Sequence, residues 1–292
     1  MKKENDMPES NLDTLEPELT DRLRQLTHIA LDMDGTIYNG DTLLDCTLPF
    51  LEQLRQLDVR YSFVTNNPSK GVPDYLKKLR EMGLSASADQ LYTSAMATID
   101  LLHRDHPQAR HLFVLGTPSM LNEFATAGFT FSADDPDDEP DAVVIGFDLT
   151  LDYPKICRAA WWMAQGKLCI ATNPDRVCPT DQRTILVDCG AICAMLESAT
   201  GRVPDKVMGK PDPSMLRGIV DRFSISTSQI AMVGDRIYTD ILMAERAGAL
   251  GVLVLTGECS RQDAEQAARA PDLVVPSLKE FGELLVAAKH VG

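Results

Sequence analysis

Short apolar runs recur along this chain, and between them lie longer stretches whose apolar positions repeat at helical spacing. The runs at 28–33, 60–64, 111–116, 142–147, 168–172, 230–233, 251–255 and 272–275 predict strands. The periodic stretches at 48–57, 72–82, 94–103, 119–127, 153–165, 189–199, 213–223, 238–247 and 261–268 predict helices. Strands and helices alternating in this way imply parallel βαβ units with helices on both faces of a sheet. The expected fold class is α/β.

Composition narrows what such a fold can be for. The chain has 292 residues, 44% hydrophobic and 24% charged, enough for two domains with ordinary cores. No run reaches the roughly 18 apolar residues a membrane helix needs. Residues 1–20 hold Lys2 and Lys3 with no apolar run behind them, so they read as a polar tail and not as a signal peptide. A net charge of −15 argues against nucleic acid and anionic membrane as partners. The seven cysteines (46, 157, 169, 178, 189, 193 and 259) are scattered and form no C-x-x-C pair. They are expected as reduced thiols in a cytoplasmic protein, with no disulfide or zinc framework. The acidic run SADDPDDEPD at 132–141 reads as a solvated turn. Histidines 28, 103, 106, 111 and 290 lie outside every motif below and read as structural.

Four segments carry chemistry. In the first, an apolar run ends in Asp32-Met33-Asp34-Gly35-Thr36. While the chain stays extended, side chains at i and i+2 share a face, so Asp32 and Asp34 would leave the strand end on one side, and Gly35 permits a sharp turn. In the second, Val64-Thr65-Asn66-Asn67-Pro68 closes another apolar run with small hydrogen-bonding groups suited to a phosphate at a helix entrance. In the third, Gly209-Lys210-Pro211 sets a lysine at a helix entrance. Pro211 stands where a P-loop has Ser or Thr, and Gly201 and Gly209 have the wrong separation, which excludes a nucleotide P-loop. In the fourth, Val233-Gly234-Asp235 ends a third run, with Asp240 at the following helix start, as a cap or as a group orienting the site. Ligands of open α/β sheets sit at the carboxyl ends of the strands. Carboxylates gathered there repel one another unless a cation joins them, which implies an Mg²⁺-type site with oxygen ligands.

These segments, DMDGT (32–36), VTNN (64–67), GKP (209–211) and GDRIYTD (234–240), resemble in order and spacing the four motifs of the haloacid dehalogenase superfamily. ATNPD (171–175) and AMLESATGR (194–202) extend the resemblance to its NagD-like branch, which includes 4-nitrophenyl and pyridoxal phosphate phosphatases. The resemblance implies a doubly wound, Rossmann-like parallel-sheet core (21–104 and 205–292) with an inserted α/β cap (105–204). It implies an Mg²⁺-dependent phosphatase acting on a small phosphorylated metabolite, and pairing of two copies through the cap. By position, Asp32 resembles the nucleophile and Asp34 the general acid and base, the second carboxylate being what separates phosphatases from dehalogenases and ion pumps. Thr65, Asn66 and Asn67 would hold the phosphoryl oxygens, and Lys210 would neutralise charge. Asp32, the Asp34 carbonyl and Asp235 would bind the metal, supported by Asp240. Cys178 replaces the histidine of pyridoxal phosphate phosphatases, which argues against that substrate. Two other readings stay open: phosphoryl transfer to an acceptor other than water, and a non-catalytic phospho-ligand-binding protein of the same fold.

Overall fold

The strands form where the apolar runs are, and most of their boundaries fall within a residue or two of expectation. The computed structural model describes residues 15–133, 135–180 and 183–290; the tail up to residue 14 and Asp134 of the acidic run lie outside the described residues. In chain order the strands are β1 (His28–Asp32), β2 (Tyr38–Asn39), β3 (Thr42–Leu43), β4 (Arg60–Thr65), β5 (Leu91–Thr93), β6 (His111–Leu115), β7 (Thr130–Phe131) and β8 (Ala142–Ile145). There follow β9 (Leu168–Ala171), β10 (Val177–Cys178), β11 (Leu186–Val187), β12 (Lys206–Val207), β13 (Ile230–Gly234), β14 (Leu250–Val254) and β15 (Leu273–Val275). By compactness the chain divides into two units, one of residues up to 61 together with 224 onward, the other of residues 62–223.

In the first unit β15, β14, β13 and β1 run parallel in that order, His28 opposite Ile230 and Met232 opposite Gly251. Every residue of β1, β13 and β14 is buried. Parallel strands covered on both faces read as unbroken apolar runs, which is why all three were legible without alternation. The helices Pro17–Gln25, Thr47–Gln56 and Leu278–His290 pack together, the Phe50 and Phe281 rings 5.7 Å apart. Proline suits the first turn of a helix, where its missing N–H costs nothing, and Pro17 accordingly starts one inside the expected tail.

In the second unit β4 pairs in parallel with β5, Phe63 opposite Leu91, beside the helices Ser94–Asp105 and Ser214–Phe223. A separate five-stranded parallel sheet has the order β12-β9-β8-β6-β7. The helices Tyr153–Ala164 and Cys189–Thr200 bury Trp162, Met163, Ile192 and Leu196 against Leu115, Ile145 and Ala171. β5, β7 and β12 are two or three residues long, too short to show a period. Within the acidic run Asp138 N donates to Asp135 O at 3.2 Å in a turn, and Asp138 faces His111 Nε2 at 2.8 Å. Both units are α/β with parallel sheets. Among the described residues no helix is long and apolar enough to cross a membrane.

Candidate active site

In the first unit polar groups collect where the central strands end. β1 carries Asp32 as its last residue, 8% exposed. The chain then turns sharply, Ile37 N donating to Met33 O at 3.0 Å and Gly35 N to Tyr38 O at 2.8 Å. Gly35 takes φ +83°, and any side chain there would overlap the Asp235 carboxylate, so both the turn and the close approach require glycine. Thr256, in the loop after β14, clamps the turn by donating its hydroxyl to Gly35 O at 2.6 Å.

β13 ends beside this turn and delivers Asp235, 2% exposed. Glu258 N donates to Asp235 Oδ2 at 2.7 Å, while Asp235 Oδ1 is buried and has no hydrogen-bond partner among the described residues. The helix expected over 238–247 opens instead with a π-helical turn, Ile237–Ile241, and becomes α-helical at Leu242–Ala247. Such turns are rare and collect at functional sites. Here the turn brings in Asp240, fully buried, whose Oδ2 accepts from Arg236 N at 3.2 Å and from the Thr239 hydroxyl at 3.3 Å. Asp240 therefore caps its own turn and also faces the site.

Asp32, Asp235 and Asp240 each offer a carboxylate oxygen, and these oxygens lie within 4.8 Å of one another. Burial, then the charges of Asp32 and Asp240, push the Asp235 carboxyl up to about 7, against the pull of the Glu258 N–H. Three buried acids with a bare oxygen among them fit a divalent cation, which prefers hard oxygen donors and would remove the repulsion. Asp34 stands outside this trio. It is half-buried, and its Oδ1 accepts from Gly40 N at 3.3 Å. The expected metal donor at that position is the backbone carbonyl and not the side chain.

The remaining expected residues belong to the second unit. Thr65 ends β4, and its hydroxyl accepts from Asn67 N at 3.2 Å. The Asn66 amide is fully engaged within the fold. Its Nδ2 donates to Lys210 O and to Asp175 Oδ2, both at 3.0 Å, and its Oδ1 accepts from Lys210 N at 2.6 Å. Asn66 and Lys210 are thus brought together through the lysine backbone, and the Asn66 side chain is a clamp with no N–H left for a phosphate. Asn67 holds Ser69 through Oδ1, and its Nδ2 donates to Cys178 Sγ at 3.5 Å. Lys210 is 5% exposed, so its ammonium stem is packed and not the solvated lysine usual on a surface.

A haloacid dehalogenase-like hydrolase model matches residues 29–130, and a HAD-hydrolase-like model matches residues 207–281. The chain is 31% identical to the ribonucleotide monophosphatase NagD of Escherichia coli over 256 residues, 88% of this chain and 98% of that protein. The family is settled by that coverage. This chain belongs to the haloacid dehalogenase-like hydrolases. Among solved structures it is similar to a 4-nitrophenylphosphatase of Thermotoga maritima (TM-score 0.84, 40% identity, 90% of this chain and 98% of that one). It is also similar to a glycerol phosphate phosphatase of Mycobacterium tuberculosis in complex with magnesium (TM-score 0.83, 32% identity, 89% and 78%). Within the haloacid dehalogenase-like hydrolases the chain falls in the NagD-like branch and is a phosphoric monoester hydrolase. A divalent metal cofactor is supported for such a hydrolase, and the Asp32–Asp235–Asp240 cluster is a group of acids that could hold one. Two contributors escaped the sequence reading of this hydrolase. They are Thr256 and the Glu258 amide, and the only trace of them was a Thr-Gly pair after an apolar run.

Proposed function

We propose that this chain is a magnesium-dependent phosphatase of small phosphomonoesters, working through an aspartyl-phosphate on Asp32. The observation that carries the reading is the buried trio Asp32, Asp235 and Asp240, with Asp235 Oδ1 bare. Asp32, the Asp34 carbonyl and Asp235 would hold the metal, with Asp240 in support. A bound magnesium ion would supply positive charge for the phosphoryl oxygens.

In this reading an Asp32 carboxylate oxygen attacks phosphorus, forming an acyl phosphate as the ester P–O bond breaks. The Asp34 carboxylic acid donates its proton to the departing alkoxide oxygen. Asp34, now a carboxylate, takes a proton from water, whose oxygen attacks phosphorus, and inorganic phosphate leaves with Asp32 restored. The Thr65 hydroxyl, with the Asn66 and Asn67 segment, holds the phosphoryl oxygens. In this reading Asn66 contributes through its backbone, because its side-chain amide is engaged elsewhere. The Lys210 ammonium neutralises the charge that positioning alone cannot. Residues 105–204 act as the cap whose closure excludes water. Nucleoside monophosphates, sugar phosphates and glycerol phosphate are the substrate class, as the names of the relatives suggest.

The test is phosphate release from a panel of such metabolites with magnesium present and after chelation. Chelation should remove release from every substrate. Hydrolysis undiminished by chelation would contradict the proposal.

A further inference from the structure

Asn66 is the meeting point of three segments distant in sequence. Its amide spans the backbone of Lys210, accepting from Lys210 N at 2.6 Å and donating to Lys210 O at 3.0 Å, and its second N–H reaches Asp175 Oδ2 at 3.0 Å. Those partners fix the orientation of the amide, because a flipped Asn66 would set N–H against N–H at Lys210. The Asn66 carbonyl accepts from Asn173 Nδ2 at 3.0 Å and from the Ser94 hydroxyl at 2.7 Å.

The turn after β9 that supplies Asn173 and Asp175 is itself anchored. Asn173 Oδ1 accepts from Asp175 N at 2.9 Å, and Gly190 N donates to Asp175 O at 2.7 Å. Asn173 Nδ2 also reaches Asp188 Oδ1 at 3.4 Å, the carboxylate that caps the helix Cys189–Thr200. Opposite, Gly209 holds φ +75° against Asn66 Oδ1 and Thr172 O, where a side chain has no room. Asn66, Asn173 and Lys210 are buried, so water competes little for these bonds and each constrains position strongly.

We infer that Asp175 and Asn173 are positioning residues that hold Lys210 in place through Asn66, so the turn after β9 sets where the lysine stands. The inference rests on the proposed role of Lys210 at the phosphoryl group. A residue that positions the lysine affects every substrate alike, since all share the phosphoryl group. A residue that touched the leaving group would change the preference between substrates.

The test compares Asp175→Ala, Asp175→Ser and the near-isosteric Asp175→Asn, which keeps an oxygen for Asn66 Nδ2. The readouts are hydrogen exchange at the Lys210 amide and kcat/KM for 4-nitrophenyl phosphate and glycerol phosphate. Loss of one hydrogen bond to a charged acceptor should speed Lys210 exchange about tenfold or more and lower kcat/KM by about the same factor for both esters. The asparagine variant should restore both. Asp175→Ser stands in if the alanine variant does not fold. Unchanged Lys210 exchange, a changed ratio between the two esters, or failure of asparagine to restore exchange would each overturn the inference. Were the wild-type chain to hydrolyse neither ester, the phosphatase proposal would fall, and Lys210 exchange alone would still decide this one.

Discussion

Asp235 is held by Glu258 on one side only. The Glu258 amide donates to Asp235 Oδ2 at 2.7 Å and leaves Oδ1 buried, without a partner among the described residues, in a carboxylate that clusters with those of Asp32 and Asp240. A buried carboxylate oxygen without a donor is costly, and nearby negative charges raise the cost. A divalent ion held by these carboxylates would turn both penalties into attraction.

If Asp32 is the nucleophile, it must carry the phosphoryl group for part of each turnover. Rapid acid quench with phosphorus-labelled substrate should leave label on the wild-type protein, released by hydroxylamine as acyl phosphates are. Asp32→Asn should carry no label and should lower phosphate release by about a thousandfold or more while keeping its fold.

Gly35 can be tested without removing any chemical group. Gly35→Ala forces a side chain into φ +83° and against the Asp235 carboxylate. Urea unfolding should show a loss of about 1–3 kcal/mol, and magnesium affinity should fall because Asp235 must move.

How much of this was legible in the sequence follows from strand length and from what hydrogen bonds hide. β1, β4, β13 and β14 are five or six residues long; β1 and β4 end in Asp32 and Thr65, and β13 and β14 are followed by Asp235 and a Thr-Gly pair, so strand and chemistry could be read together. The π-helical turn at Ile237–Ile241 could not be read, because its one extra residue leaves the apolar spacing almost unchanged. Nor could the engagement of the Asn66 amide, which depends on Asp175 and Lys210 arriving from 109 and 144 residues away. The helix Pro17–Gln25 was hidden by its polar composition and its place at the edge of the tail.

His28 gives a stability signature below neutral pH. Burial, then the positive charge of Arg60, push it down to about 4. Between about pH 6.5 and 4 the unfolded chain therefore binds a proton that the folded chain refuses, so stability present at neutral pH is lost as pH falls through this window. His28→Gln should flatten that acid limb by up to about 3 kcal/mol, measured as the difference in unfolding free energy between pH 7 and pH 4. An unchanged limb would assign the acid sensitivity to other groups.

Glu123 should behave in the opposite sense. Burial pushes its carboxyl up to about 7, and its Oε2 has no hydrogen-bond partner among the described residues. The folded chain keeps this proton while the unfolded chain releases it. The favourable contribution is therefore whole below about pH 4.5 and declines as pH rises to about 7. Glu123→Gln should leave the unfolding free energy nearly unchanged at pH 4.5 and raise it by about 1–3 kcal/mol at pH 8.

Titration calorimetry of magnesium into the wild-type chain and Asp235→Ala bears most directly on the carboxylate trio. The wild type should bind one ion per chain at the site of Asp32, Asp235 and Asp240, and Asp235→Ala should weaken binding by about a hundredfold or abolish it. Equal affinity in the two proteins, or no binding to the wild type, would show that these buried acids do not gather around a cation.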